Sequence, residues 1–241
     1  MNKYYNLTTN DQEADIFIFG DITSWVWDES DVSSYTLAKE LAELKDVNQI
    51  NVHINSYGGE VAEGLAIYNQ LVNHPAKVTT YCDGFACSIA SVIFMSGEER
   101  IMSDASLLMI HNPWTYVRGN AEKLRKDADD LDKMANAAVN AYMNRVSIKE
   151  EELRELLKKE SWIEPAEALS KGFATSVSKS SKNNVQQSVK KSVMKKLLAK
   201  EEGLEIDKIA EAVAEKLAAE KIAQKQPLAQ KKVINLFAGL K

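Results

Sequence analysis

Four short segments of the chain hold residue types that together can cleave a peptide bond. Ser88 lies among small residues, and His111 ends an apolar run. The carboxylate of Glu160 and the glycine pair Gly58-Gly59 complete the set. Acyl transfer needs a nucleophile, a base, an acid that orients the base, and backbone amides that bind an oxyanion. The four segments therefore predict the site of a serine hydrolase.

Each segment also has an ordinary structural explanation when it is taken alone. A serine at the start of a helix commonly caps it, and a glycine pair after a strand commonly serves a turn with positive φ. A histidine at a strand end is commonly structural. Of the three histidines, His53 falls within a predicted strand and His74 precedes a proline, so both are expected to be structural or solvated. The catalytic interpretation depends on Ser88 and His111 occurring together, with the amide of Ile89 at a helix start as an oxyanion donor.

Alternating strand-like and helix-like segments predict a mostly parallel α/β sheet covered by helices on both faces. Short apolar runs mark the strands, and apolar stripes spaced by three and four residues mark the helices. The predicted strands are residues 14–20, 49–55, 78–82, 100–102 and 107–110. The first predicted helix starts at residue 33 or 34 and ends at 44. The other five predicted helices are residues 61–73, 88–95, 119–146, 149–158 and 165–171.

The motifs, in their order and approximate spacing, resemble those of the Clp protease proteolytic subunit family of serine peptidases. That family carries Asn-Ser-Pro-Gly-Gly after a strand, a Gly-x-Ala-(Ala/Cys)-Ser turn, a Met-Ile-His-(Gln/Asn)-Pro segment, and an acid shortly before Glu-Ala-(x)3-Gly. The resemblance runs from about Ile16 to Val177. The matching segments here are Asn55–Gly59, Gly84–Ser88, Met109–Pro113, and Glu160 followed by Glu167–Gly172.

The resemblance implies a role for each site residue. Ser88 is expected to be the nucleophile and His111 the general base, with the backbone amides of Gly59 and Ile89 forming the oxyanion hole. Neither a cofactor nor a metal ion is implied. Residues expected beside the bound peptide are Gly58 and the turn Arg118-Gly119-Asn120.

The resemblance also implies the architecture. The fold is expected to be the β-β-α spiral of the ClpP/crotonase type, with a protruding handle helix over Thr115–Arg145. Copies of the chain are expected to form a homo-oligomeric ring. Apolar positions of the handle are expected to be exposed on one chain and buried against another: Leu124, Leu131, Met134, Ala138 and Tyr142.

Three positions depart from the family pattern. Tyr57 stands where proline is usual, and Ala90 stands where glycine is common. Glu160 occupies the third position of the triad, where aspartate is usual, and glutamate can also orient an imidazole. Asp83 and Asp104 are the alternatives for this third position.

The sequence after the protease motifs has a different character. We expect a protease domain over residues 1–177, a polar Lys/Ser-rich linker over 178–200, and an amphipathic helical tail over 201–241. From residue 176 onward the chain carries 14 lysines against seven acidic residues, whereas the preceding part carries 16 basic and 28 acidic residues. The tail has no arginine and one aromatic residue, which argues against specific nucleic-acid binding.

Glu160 and the basic tail together resemble one branch of the family, the prohead (head maturation) proteases of tailed phages and prophages. That branch implies scaffold and capsid precursors, and the chain's own tail, as substrates, inside an assembling phage head in the host cytoplasm. The alternatives are a general degradation peptidase that works with an AAA+ ATPase, and a non-catalytic assembly protein. A crotonase-type acyl-CoA enzyme would leave Ser88 and His111 without a shared task. Two cysteines, no signal peptide and no membrane-spanning apolar run favour a cytoplasmic protein without disulfide bonds.

Overall fold

The structure is a computed structural model that describes residues 8–10, 12–26, 30–44 and 47–179. All of these residues fall within one unit, residues 1–182. The predicted linker and tail lie outside the described residues from position 180 onward, and the division into a domain, a linker and a tail stays a prediction.

The described part of the chain contains eight strands and six helices, which include the five strands and six helices predicted from the sequence. The strands are β1 (Thr8–Asn10), β2 (Glu13–Ile18), β3 (Gln49–Ser56), β4 (Lys77–Cys87), β5 (Glu99–Ser103), β6 (Leu107–Ile110), β7 (Ser161–Ile163) and β8 (Ser176–Ser178). The helices are α1 (Ser34–Glu43), α2 (Val61–Val72), α3 (Ile89–Phe94), α4 (Ala121–Met143), α5 (Glu150–Lys158) and α6 (Pro165–Lys171).

The strands form one mixed sheet in the order β1-β2-β3-β4-β5-β8. Strands β2 to β5 and β8 run parallel to their neighbours, whereas β1 is antiparallel to β2. Strand β4 is long enough to pair twice, with β5 along its first half and with β6 along its second half. Strand β7 is antiparallel to β6. The predicted α/β class with a mostly parallel sheet is confirmed.

One face of the sheet is fully covered and the other is not. Side chains of β2 and β3 that point to the covered face, such as Ile16 and Val52, have no exposed surface. On the opposite face Phe17, His53 and Tyr81 stack ring upon ring across three strands and stay half-buried. This face of the sheet is therefore only partly buried at β2, β3 and β4, whereas cover on both faces was expected.

Helix α4 is only partly covered by the rest of the described chain along most of its length. Its residues are largely exposed up to Asn136, and near its C-terminal end Val139, Ala141 and Tyr142 become buried. The expectation that Tyr142 is exposed is wrong, because it is only 1% exposed. Leu124 and Met134, nearer the N-terminal end, are exposed as expected. None of the six described helices is both long and apolar enough to cross a lipid bilayer.

Candidate active site

Ser88 lies in a sharp turn between β4 and α3. Its backbone has φ 55° and ψ −128°, a conformation that side-chain-bearing residues rarely adopt and that is commonly stored at functional sites. Its amide donates to the carbonyl of Met109 in β6 at 2.8 Å. The hydroxyl of Ser88 does not cap helix α3. The capping explanation of this serine is therefore excluded by the geometry.

The hydroxyl of Ser88 instead faces His111. The two atoms Ser88 Oγ and His111 Nε2 are 2.7 Å apart, a short hydrogen-bond distance. Parallel pairing of β4 with β6, in which Cys87 lies opposite Met109, brings the ends of the two strands together. His111 comes directly after β6, so the pairing of two strands positions the nucleophile and the base.

The pairing of β6 with β7 places Glu160 on the same side of the sheet end as His111. Ile110 lies opposite Ser161 in this antiparallel pair, so the residues next to them, His111 and Glu160, lie at the same end of the pair. Glu160 is exposed and has φ 51°, a second strained residue at this site. Among the described residues no hydrogen bond joins its carboxylate to the imidazole. Its negative charge nevertheless acts on His111.

Two opposing effects set the pKa of His111. Burial of the imidazole disfavours its charged form and lowers the pKa below the ordinary value of 6.5. The charge of Glu160 acts in the other direction, and the net pKa remains lowered. The imidazole is consequently neutral near pH 7, which is the form that accepts a proton.

Asp83 and Asp104, the alternatives for the third position of the triad, lie elsewhere in the structure. Asp83 Oδ2 lies 2.8 Å from His53 Nδ1, so this aspartate pairs with a different histidine. Asp104 lies exposed in the turn after β5, and its amide donates to the carbonyl of Ser178. Glu160 is the carboxylate whose charge acts on His111.

The glycine pair lies against the nucleophile. A Cβ atom added to Gly58 would lie 2.8 Å from Ser88 Cβ and from the carbonyl oxygen of Cys87. Ile22 holds the pair from the other side, because its amide donates to Gly58 and its carbonyl accepts from the amide of Glu60. Within the described part of the chain, the amides of Gly59 and Ile89 donate no hydrogen bond. These two amides are available to an oxyanion.

A cleft of about 910 Å³ opens beside the glycine pair. Its wall is mainly apolar and includes Val61, Leu131 and Met134, together with carboxylates such as Glu60. Of the residues predicted to bind substrate, Gly58 lines this cleft, whereas Arg118, Gly119 and Asn120 do not. The side chain of Asn120 accepts a hydrogen bond from the amide of Lys123 and caps α4. A substrate-binding role for these three residues stays a prediction.

Sequence reasoning missed two residues behind the nucleophile, Ser91 and Tyr142, whose hydroxyls are 2.7 Å apart. The sequence motif indicated Ser91 only as a small neighbour of Ser88, and Tyr142 lies 54 positions after Ser88 in the chain.

No group of three or more His, Cys, Asp or Glu side chains suited to a metal ion occurs among the described residues.

Comparison with known proteins identifies the family. Residues 4–181 match the family model described as Clp protease. An ATP-dependent Clp protease proteolytic subunit of Deinococcus radiodurans is 33% identical over 138 residues, which cover 56% of this chain and 68% of that protein. A protein of the same name from Borrelia garinii is 27% identical over 171 residues, covering 69% of this chain and 84% of the relative. One from Chara vulgaris is 35% identical over 103 residues, or 42% and 47% of the two chains. The chain therefore belongs to the Clp protease family and is a serine peptidase.

Proposed function

We propose that Ser88 is the nucleophile of this peptidase, with His111 as its general base and Glu160 as the third member of the triad. The observation that carries the proposal is the 2.7 Å contact between Ser88 Oγ and His111 Nε2, made by a serine held at φ 55°. Helix α3 starts at Ile89, so its first amides point toward a charge developing next to Ser88.

In the proposed reaction, Nε2 of neutral His111 takes the hydroxyl proton while Ser88 Oγ attacks the carbonyl carbon of the peptide bond. The resulting oxyanion accepts hydrogen bonds from the amides of Gly59 and Ile89. Each such donor is worth about 10²–10³-fold in rate. His111 then gives its proton to the departing amine, and a water molecule activated by the same histidine hydrolyses the acyl-enzyme ester.

We propose that Glu160 acts mainly through its charge. A carboxylate opposite the imidazole stabilises the imidazolium that forms when His111 takes the proton from Ser88. The effect is expected to be modest, because Glu160 is exposed and water screens its charge.

The pH dependence of hydrolysis tests this role. Because the pKa of His111 is lowered, we expect the acid limb of kcat/KM to have its midpoint below pH 6.5. Glu160→Gln removes the charge that raises this pKa, so the limb should move to still lower pH. The plateau rate should fall by on the order of tenfold as imidazolium stabilisation is lost. Glu164→Gln, at another exposed glutamate near the end of β7, serves as the control. An acid limb that moves to higher pH in Glu160→Gln would contradict the assignment.

A fluorophosphonate probe tests the nucleophile without a known substrate. We expect one covalent adduct per chain, mapped to Ser88 by mass spectrometry, because the probe reacts with an activated serine. Ser170→Ala, at an exposed serine of α6, should label like the wild type, and His111→Ala should label far more slowly. An adduct on another serine, or none on an intact protein, would overturn the proposal.

We further propose that the natural substrates are scaffold and capsid precursors of a phage head, and that the chain trims its own tail. The support is in the sequence: the Glu-Ser-Trp segment from Glu160 to Trp162 and the lysine-rich stretch that follows the protease motifs. A second candidate is a degradation peptidase that depends on an AAA+ ATPase. The relatives favour it, since each is named an ATP-dependent Clp protease proteolytic subunit.

Self-trimming separates these two candidates. The purified full-length chain is expected to shorten with time to about residues 1–180, because the sequence after this point is polar and lysine-rich. The Ser88→Ala chain should stay full-length in the same conditions and should be shortened when wild-type protein is added. If the wild-type and Ser88→Ala proteins, incubated separately, shorten at the same rate, a contaminating protease is responsible. A stable wild-type chain that degrades an unfolded protein only with an AAA+ unfoldase and ATP would favour the second candidate.

We also propose that copies of the chain assemble into a ring. Trp114, Tyr116 and Val117, which precede α4, are exposed, and so are Leu124 and Met134 within it. Clustered exposed apolar side chains on a protruding element are typical of a surface that another subunit covers.

A further inference from the structure

Two buried hydroxyl groups connect helix α4 to the backbone of Ser88. The side chain of Ser91, in the first turn of α3, donates to the carbonyl oxygen of Ser88 at 2.5 Å. Tyr142, near the end of α4, places its hydroxyl 2.7 Å from Ser91 Oγ. Both side chains are 1% exposed, so water does not compete for these hydrogen bonds.

The chemistry of the groups fixes the direction of this chain of hydrogen bonds. A carbonyl oxygen can only accept, so the proton of the Ser91 hydroxyl points to Ser88. The Ser91 oxygen is then the acceptor toward Tyr142, and the tyrosine hydroxyl is the donor. A second donor to the same carbonyl is the amide of Ser91 at 3.0 Å. The order is therefore Tyr142 to Ser91 to the backbone of Ser88.

The contact matters because Ser88 has an unfavourable backbone conformation. A residue with a side chain at φ 55° persists only where the surrounding structure holds it in that conformation. Met109 holds the amide of Ser88 from β6, the strand that leads to His111. The hydroxyl of Ser91, itself hydrogen-bonded to Tyr142, holds the carbonyl of Ser88. A turn that rotates at either peptide group moves Ser88 Oγ away from His111 Nε2.

We propose that Ser91 and Tyr142 are positioning residues of the peptidase, which keep the carbonyl of Ser88 fixed so that its hydroxyl stays aimed at His111. The proposal rests on Ser88 being the nucleophile. Through these hydrogen bonds α4 is connected to the backbone of the nucleophile, and the same helix lines the cleft beside the glycine pair through Leu131 and Met134. Neither residue contacts the reacting atoms, so the expected effect is on the geometry of the nucleophile.

Removing either hydroxyl group is expected to lower kcat and to leave KM unchanged. Tyr142→Phe removes one hydroxyl and keeps the ring that packs edge-on against Phe173. We expect kcat and the rate of labelling by the fluorophosphonate probe to fall by about tenfold, the equivalent of one ordinary hydrogen bond, with KM unchanged. Ser91→Ala should have the same effect, and the double variant should be no worse than either single variant, since both break one chain. Ser91→Thr, which keeps a hydroxyl at this place, should restore most of the rate.

Tyr68→Phe is the matched control, because Tyr68 is a buried tyrosine of α2 with no hydrogen bond among those of the described residues. It should leave kcat, KM and labelling within about twofold of the wild type. The proposal is overturned if Tyr142→Phe and Ser91→Ala lower the melting temperature but label and turn over at the wild-type rate. If Tyr142→Phe does not fold, Ser91→Ala decides by the same readouts. If the folded wild type is not labelled at Ser88 at all, the assignment of Ser88 fails instead, so the two failures are distinguishable.

Discussion

Replacing Ser88 by alanine is expected to lower kcat for peptide hydrolysis by about 10⁴-fold or more, the loss typical when a member of a Ser-His-acid set is removed. The expected physical reason is simple: no other oxygen nucleophile lies within hydrogen-bond reach of His111 Nε2 among the described residues. Residual hydrolysis would come from substrate binding and from the two oxyanion donors acting on water. The measurement is turnover of an unfolded protein or a fluorogenic peptide that the wild type cleaves.

Stability is the matched readout for this variant. Alanine at position 88 keeps the same strained backbone and loses one hydrogen bond to His111, so the melting temperature should stay within a few degrees of the wild type. Ser170→Ala controls for the loss of a serine elsewhere. Ser88→Ala protein that folds normally and retains more than about 1% of the activity would place the nucleophile at another residue.

Local signals in the sequence were sufficient for most helices. Ser33 caps α1 through its hydroxyl, which accepts from the amide of Thr36. Pro165 starts α6, and Gly172 ends it with φ 80°. In each case the residue that starts or ends the helix interacts with neighbours within four positions. The sequence alone is therefore enough to predict these helix ends.

The short strands were missed for the opposite reason. Strands β1, β7 and β8 have three residues each, too few for a period of two to be distinguished from chance. Their existence depends on a partner strand elsewhere in the chain. The pairing of β7 with β6 is what brings Glu160 toward His111, so the sequence motif named the residue but not the mechanism that positions it.

Strand β4 was predicted to end at Cys82. The strand continues to Cys87, and Gly84 serves a close contact. A Cβ at Gly84 would lie 2.5 Å from Asn55 Oδ1, and the same oxygen accepts from the amide of Phe85. Glycine is required here for space, which a single sequence does not distinguish from a requirement for a turn.

The burial of Tyr142 was predicted wrongly, because the apolar positions of a helix do not by themselves show which of them the same chain buries. Leu124, Leu131 and Tyr142 were grouped as apolar positions of the handle, and all three were expected to be exposed on a single chain. Tyr142, near the C-terminal end of α4, contacts Ser91 of α3 and is buried, whereas Leu124, near the other end, is exposed. Spacing identifies an apolar face, but the path of the helix decides which part of that face the same chain covers.

Gly59→Ala is expected to produce the second large effect, on both stability and catalysis. Gly59 has φ 149°, at which a side chain is strained, and its added Cβ would lie 2.0 Å from the carbonyl oxygen of Ile22. Neither atom can move alone, because the bridge between Ile22 and the glycine pair is made of backbone hydrogen bonds. The turn must shift, and with it the amide proposed to bind the oxyanion. We expect kcat per folded molecule to fall by about 10²–10³-fold.

The control for this variant must share its strain but lie elsewhere. Gly172→Ala meets that need. Gly172, at the end of α6, has φ 80°, and its added Cβ would lie 2.7 Å from the amide nitrogen of Ser147. Both variants should lower the melting temperature, and the activity of each is normalised to the folded fraction. Gly172→Ala should then keep kcat within a few-fold of the wild type, whereas Gly59→Ala should not. Equal losses per folded molecule would mean that catalysis responds to general destabilisation. A normal kcat in folded Gly59→Ala would remove this amide from the oxyanion hole and leave Ile89 as its one assigned donor.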